Sequence, residues 1–392
     1  MAEPTALEQT PPAMAELRHE ARAACAPDQL IDLSRSEPLP VPLADACAVR
    51  VQEEFMRARL YAPPAGLGPA RDAVARYVSA ATGHEIGADR VAITAGAMHG
   101  ISISLRALVE PGSEVLVPRP YFHAHPKQVA MLGSEPRFVD VRAERGVVTA
   151  AAIERELSPR TRALLLCNPA NPAGVVLGRE ALEQILAVLP PSVAVIADEV
   201  YAEYTYAGSF TSMLAVATEE DAGREVVAVA TASKTAAMPG WRVGSAVGSP
   251  VLAPRLGRAS ATLSGAPSTP AQLAYAAWLD EPPAIERMAP YRPRLRDVLE
   301  AVENAGLSVR PPEGTYYVWA GMDAEIGAPE RVLEAARATG ALVWPGALFG
   351  DRESVRISLS VPRRELREGV IRLADSWREV QPSDVPISRP RR

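Results

Sequence analysis

Ala163-Leu164-Leu165-Leu166-Cys167-Asn168-Pro169-Ala170-Asn171-Pro172-Ala173-Gly174 begins as an uncharged apolar run and ends in a turn of Asn, Pro and Gly. A strand with one wet face alternates apolar and polar side chains, whereas an unbroken apolar run fits a strand covered on both faces. The same reading extends outward. Val193 to Ala197 is a second such run, reached through a helical stretch at Glu180 to Val188, and Val226 to Ala230 and Val243 to Val247 are two more. Upstream, Pro69 to Ala81 reads as a helix and Val91-Ala92-Ile93-Thr94 as a strand. Gly96 then opens a helix through Leu108, and Val115-Leu116-Val117 follows as a strand. Apolar strands separated by helices predict an α/β fold with a mostly parallel sheet between helices.

Beyond about residue 270 the pattern changes. Helical stretches at Pro270 to Leu279 and Ala284 to Ala305 lead to short strands at Tyr316 to Trp319, Leu342 to Val343 and Val355 to Leu359, then to a helix at Arg364 to Ser376. This predicts a smaller α+β domain. The N-terminal segment is expected to pack with it, through a short helix near Met14 to Cys25 and an extended piece at Ile31 to Leu33. The expected division is residues 1–45, a large domain at 46–275 and a small domain at 276–392. A length of 392 residues suits two or three domains.

The formal net charge of −6 gives no basic footprint for nucleic acid. No apolar run approaches the length of a membrane span, and Met1-Ala2-Glu3-Pro4 does not open a secretory signal. Cys25, Cys47 and Cys167 form neither a CxxC nor an even set, so no disulfide framework or metal site is expected, and a reduced, cytoplasmic setting is the default. The Arg389–Arg392 tail reads as solvated.

Of 41 basic residues only Lys127 and Lys234 are lysines. A lysine kept in an arginine-rich chain suggests a task that needs an amine able to lose its proton and attack a carbonyl, which arginine cannot do. Neither lysine sits in a phosphate-binding Gly-Lys-[Ser/Thr] loop, and GxGxxG, GxSxG, SxxK and HExxH are absent. His123 and His125 are two apart and read as surface or hydrogen-bonded residues near a loop. Four elements fall where a parallel sheet places ligands, at the carboxyl ends of strands. They are Thr94-Ala95-Gly96-Ala97-Met98, Asn168 to Gly174, Asp198-Glu199-Val200-Tyr201, and Thr231-Ala232-Ser233-Lys234 followed by Arg242.

Together, in this order, these elements resemble the fold-type I pyridoxal-phosphate enzymes of the class I/II aminotransferase family. The resemblance runs from about Ile31 to Ala374. It includes Tyr61, Gly66 and Arg71 in a Tyr-x4-Gly-x4-Arg segment, Glu313 to Tyr317, Val343 to Gly350, and Val355-Arg356-Ile357-Ser358. The resemblance implies pyridoxal 5'-phosphate as cofactor. Lys234 would form the Schiff base and carry the α-proton. Asp198 would pair with the cofactor's ring nitrogen, Glu199 being equally readable as structural. Tyr201 and Asn171 would donate to its ring oxygen, and Phe122, with Tyr121 as the other candidate, would stack on its ring. The phosphate would take backbone N–H groups of Ala97 and Met98 after Gly96, hydroxyls of Thr231 and Ser233, and the guanidinium of Arg242. Tyr61 would reach the phosphate of a partner subunit, which implies a homodimer with shared active sites. Arg356 would grip the substrate carboxylate beside Asn171.

Three positions depart from the family pattern. Ser36 replaces a usual Gly beside Arg35 in a segment near the substrate, Ala173 replaces Thr or Ser, and Ala236-Ala237-Met238-Pro239 is smaller than usual. The expected activity is exchange of an amino group between an L-amino acid and a 2-oxo acid. The same first steps serve elimination, replacement or cyclisation, as in the 1-aminocyclopropane-carboxylate synthases. A cofactor-binding regulatory domain beside a winged helix is disfavoured by the acidic charge and the short segment before Ile31.

Overall fold

The computed structural model describes residues 14–25, 30–41, 52, 61–217, 223–280, 286–322 and 324–378. Cys47, residues 284 and 285 of the expected helix, and the Arg389–Arg392 tail lie outside the described residues. The chain forms two compact units. One comprises Met1–Ser36, Asn171–Gly174 and Arg287–Arg392, and the other Glu37–Ala170 and Val175–Glu286. These divisions lie some ten residues from those expected at 45/46 and 275/276. Helix Thr269–Asp280 is part of the reason: Ala271 to Leu279 are all buried, and it packs along helix Gly68–Thr82 of the larger unit. The small insert joins the other unit because the N–H groups of Glu313 and Gly314 both donate to the Gly174 carbonyl, at 2.8 Å each.

Strand β1 (Ile31–Asp32) lies in the smaller unit. The larger unit holds β2 (Val91–Thr94), β3 (Glu114–Arg119), β4 (Glu135–Asp140), β5 (Thr161–Cys167), β6 (Ala194–Asp198), β7 (Val226–Thr231) and β8 (Gly244–Val247). They form one sheet in the order β2-β8-β7-β6-β5-β3-β4. The pairs from β7 through β4 are parallel, with Cys167 opposite Asp198 and Asp198 opposite Val229. β5, β6 and β7 are buried along almost their whole length, as their apolar runs predict. Ile101, Ile103 and Leu105 of helix Ala97–Leu108 meet Ile196, Val227 and Val229 in the core.

β8 departs from expectation. Its apolar run reads as another parallel strand, yet it is antiparallel to both β7 and β2. The reason is the connection. Residues 232–243 hold only one helical turn, Ala232–Thr235, and a 3-10 turn, Pro239–Trp241, in place of the helix that usually carries a parallel crossover, so the chain turns back and Thr231 faces Gly244. A Cβ on Gly244 would lie 2.4 Å from the Ala230 carbonyl oxygen, so glycine permits this close pairing.

In the smaller unit, β9 (Ser308–Val309), β10 (Tyr317–Gly321), β12 (Trp344–Pro345) and β13 (Ser354–Ser358) form an antiparallel sheet in the order β12-β13-β10-β9. β11 (Ala341–Leu342) pairs in parallel with β1. Helix Met14–Ala24 packs on helix Pro329–Thr339, and helix Arg292–Asn304 on helix Arg363–Arg378. The N-terminal segment thus belongs to this unit. Among the described residues no helix is long and apolar enough to cross a membrane.

Candidate active site

In the larger unit, the ends of β2, β6 and β7 carry most of the expected residues. After β2 the chain turns through Gly96, with φ of +85°, into helix Ala97–Leu108. The first N–H groups of a helix have no partner within it, and its amino end favours an anion. A Cβ on Gly96 would lie 2.7 Å from Nη2 of Arg242, so a larger residue would displace the guanidinium. Arg242 also donates to Ser233 Oγ at 3.2 Å. Thr231 Oγ1 donates to Ser233 Oγ at 3.1 Å and accepts from the Ser233 N–H. Glycine turn, two hydroxyls and guanidinium are therefore one cluster.

His99 secures this turn, a role the sequence reading did not give it. The Ala95 N–H donates to its Nδ1 at 3.0 Å, and its Nε2 lies 3.2 Å from Ser264 Oγ. Nδ1 is thereby the unprotonated nitrogen, and burial holds the imidazole pKa below its usual range.

At the end of β6, Asp198 is buried and its Oδ2 lies 3.1 Å from Nε2 of His125. His125 is itself 1% exposed, so of its two readings, surface or hydrogen-bonded, the hydrogen-bonded one holds. Its role was not legible because nothing in the local pattern separates a buried histidine from a wet one. Phe122 meets His125 edge-on at 5.3 Å between centroids and 81°. Tyr121 instead stacks on Phe138 at 5.1 Å and packs against the core. The chain thus sets Phe122, not Tyr121, beside the histidine that touches Asp198.

Lys234 lies in the four-residue helix Ala232–Thr235 directly after β7, capped by the Thr231 side chain. Its Nζ is 5.5 Å from the centroid of the Tyr201 ring. Lys234, Tyr201, Asp198, Thr231, Ser233, Arg242 and the Gly96 turn with Ala97 and Met98 are thus all in one unit. Tyr61 is there too, with its side chain fully exposed. Gly66 and Arg71 of its segment are structural. A Cβ on Gly66 would strike Ile93, and Arg71 donates to the carbonyls of Val91 and Ala88.

Glu199 is buried behind Asp198. It accepts from Ser212 Oγ at 2.8 Å and from the Met213 N–H at 2.7 Å. Burial pushes its pKa up to about 7, against the lowering effect of those bonds, and the Asp198 charge raises it further. A raised carboxyl holds its proton more tightly folded than unfolded. Its contribution to stability is complete below the free value of 4.5 and is lost as pH rises through about 7. Glu199→Gln should therefore flatten this loss and exceed the parent by up to about 3 kcal/mol near pH 8.5. Urea unfolding of both at pH 5 and 8.5 reads it, and parallel stability changes would refute it.

In the smaller unit, Arg356 on β13 is 1% exposed. Its guanidinium carbon lies 3.9 Å from the centroid of Tyr317 and 4.9 Å from those of Trp344 and Phe349. Its Nη1 donates to Asn171 Oδ1 at 2.9 Å and its Nη2 to Ser36 Oγ at 3.2 Å. The segment bearing Ser36 is pinned in turn. The Ser36 carbonyl accepts from Tyr316 and Tyr317, and the Ser34 carbonyl from Arg18 and Trp344. Ser36 therefore touches the arginine where the family's glycine has no side chain. The aromatic residues were visible as parts of motifs, but their grouping around one arginine arises only when β10, β12 and β13 pair.

Residues 28–373 match the family model described as aminotransferase class I and II. A probable aspartate/prephenate aminotransferase of Thermus aquaticus is 32% identical over 81% of this chain and 83% of its own length. A putative aminotransferase of Bacillus subtilis is 31% identical over 80% and 82%. Among solved structures, a single mutant of Thermus thermophilus aspartate aminotransferase superposes with a TM-score of 0.85 at 27% identity, covering 96% of this chain and all of that one. The aromatic aminotransferase of Pyrococcus horikoshii gives 0.81 at 25% identity, covering 92% and 98%. These names favour amino-group exchange over elimination, replacement or cyclisation.

Proposed function

The chain belongs to the class I and II aminotransferases, which work with pyridoxal 5'-phosphate, and we propose that Lys234 is the amine that holds the resting cofactor in an enzyme exchanging an amino group between an L-amino acid and a 2-oxo acid. The observation that carries this reading is that Lys234, Asp198 and the Gly96–Arg242 cluster follow the ends of β7, β6 and β2 in one sheet of one unit, with Lys234 Nζ over the Tyr201 ring.

The donor set fits the cofactor. A dianionic phosphate matches the Ala97 and Met98 N–H groups, the Thr231 and Ser233 hydroxyls and the Arg242 fork. The cofactor, when bound, supplies a protonated ring that draws electrons from the substrate's α-carbon. Asp198 keeps a proton on that ring nitrogen by its charge, and His125 orients Asp198. Phe122, edge-on to His125, would cover the ring face. Tyr201 would donate to the ring oxygen. Lys234, once its amine is free, would carry the proton on Nζ between the substrate α-carbon and the cofactor. Arg356, oriented by Asn171 and bounded by Ser36, receives the substrate carboxylate. The exposed Tyr61 would reach the phosphate of a partner subunit in a working homodimer. A reducing, cytoplasmic setting suits Cys25 and Cys167, which form no disulfide.

The test is to offer the holoenzyme a panel of acidic, aromatic and aliphatic amino acids and record its absorbance. A visible band that converts with one donor class and returns with a 2-oxo acid identifies the substrates. A product formed without 2-oxo acid exchange would refute transamination. The acidic and aromatic arms come first, because the relatives carry aspartate, prephenate and aromatic names. Sedimentation of the same preparation reads the dimer.

A further inference from the structure

We infer that Tyr204 is a positioning residue for Lys234, holding its backbone in register with the strand end that carries Asp198 and Tyr201. The proposal rests on the reading of Lys234 as the cofactor-binding amine. Tyr204 is 1% exposed, and its hydroxyl donates to the Lys234 carbonyl at 2.8 Å. Its own N–H donates to the Tyr201 carbonyl at 2.8 Å, and the two rings meet edge-on at 6.4 Å and 75°. Tyr204 therefore joins two loops that the sheet brings side by side, one leaving β6 and the other leaving β7.

The joint is needed because the lysine's own support is small. Helix Ala232–Thr235 is a single turn, too short to stand by propensity. It is held by the Thr231 cap, by bonds of Ala232 to Val243 and Met238, and at its far end by contacts to the Lys234 carbonyl. The Ala236 and Ala237 N–H groups also reach that carbonyl, so loss of the Tyr204 hydroxyl leaves no orphaned acceptor. What it removes is the one of these three donors that comes from the β6 side. Without it the turn can shift relative to Tyr201, and the amine with it. A shift of this kind affects proton transfer at Nζ more than carboxylate binding at Arg356, which lies in the other unit.

Tyr204→Phe keeps the ring and deletes the hydroxyl. Borohydride reduction and peptide mapping of the wild-type holoenzyme should place the cofactor on Lys234. In Tyr204→Phe the label should stay there. The rate at which apoenzyme acquires it from limiting pyridoxal phosphate, and kcat, should each fall about five-fold, the worth of one hydrogen bond. KM for the amino donor should hold, and the pH midpoint of the visible absorbance should move. A variant whose melting temperature falls while attachment rate, kcat and midpoint stay put assigns Tyr204 to the core and overturns the proposal. A change confined to KM does the same. A wild-type label on Lys127 instead overturns the reading of Lys234, and the proposal with it.

Discussion

Lys234→Ala should fold normally and lose amino-group exchange by on the order of a thousand-fold, within the range of a positioned proton carrier. The fold should survive because alanine suits a helical turn, the Thr231 cap does not involve the lysine side chain, and the Tyr204 bond goes to a main-chain carbonyl. Function should not survive. Lys127 is the other lysine of the chain, and it lies on helix His125–Met131 rather than beside Tyr201. Partial burial lowers its amine pKa from the ordinary lysine value, so it serves as the control. Lys127→Arg should leave exchange nearly intact. Reductive trapping with mass analysis, run beside the activity assay, separates the two. Turnover by Lys234→Ala within ten-fold of the parent would sink the assignment.

Arg356→Ala should raise KM for the amino donor by a hundred-fold or more, with a smaller effect on kcat. Truncating one side of a buried, hydrogen-bonded charge pair costs about 2–5 kcal/mol, and here the pair forms when the substrate carboxylate arrives. Two further effects add to this. Asn171 Oδ1 and Ser36 Oγ lose their donor, and the Tyr317, Trp344 and Phe349 rings lose the planar group packed against them. The variant should therefore melt earlier as well. Arg356→Lys separates charge from shape, since an ammonium keeps the charge but cannot form a two-pronged planar contact. It should fall between parent and alanine in KM. Donors blocked as α-amides should lose the difference among all three proteins, and an unchanged KM in Arg356→Ala would remove the carboxylate role.

Much of this was legible in the chain because burial on both faces leaves an unmistakable apolar run, as at Leu164–Leu166 and Val195–Ala197. Such a run carries no sign of strand direction. The run of β8 therefore reads as parallel, whereas the 232–243 connection, with no crossover helix, turns it antiparallel. Lys234 and Arg242 stood out through spacing and scarcity. His125 and Tyr204 did not, because a histidine or tyrosine is written the same whether it meets water or a buried partner, and their partners are 73 and 30 positions away. The aromatic enclosure of Arg356 likewise depends on cross-strand pairing, which sequence spacing does not state.

The reversal at β8 also bears on how this chain can change over generations. The strands from β3 to β7 are joined by helices and surface loops, where added or deleted residues can be absorbed far from the strand ends. The stretch between β7 and β8 has no such slack. It carries Lys234 near one end and Arg242 near the other, and the pairing of Thr231 with Gly244 closes it. An insertion there would lengthen the tether between amine and guanidinium or slip that pairing. Length variation should therefore gather elsewhere in the chain, leaving this loop constant in size even where its residues, like Ala236 to Pro239, have been exchanged.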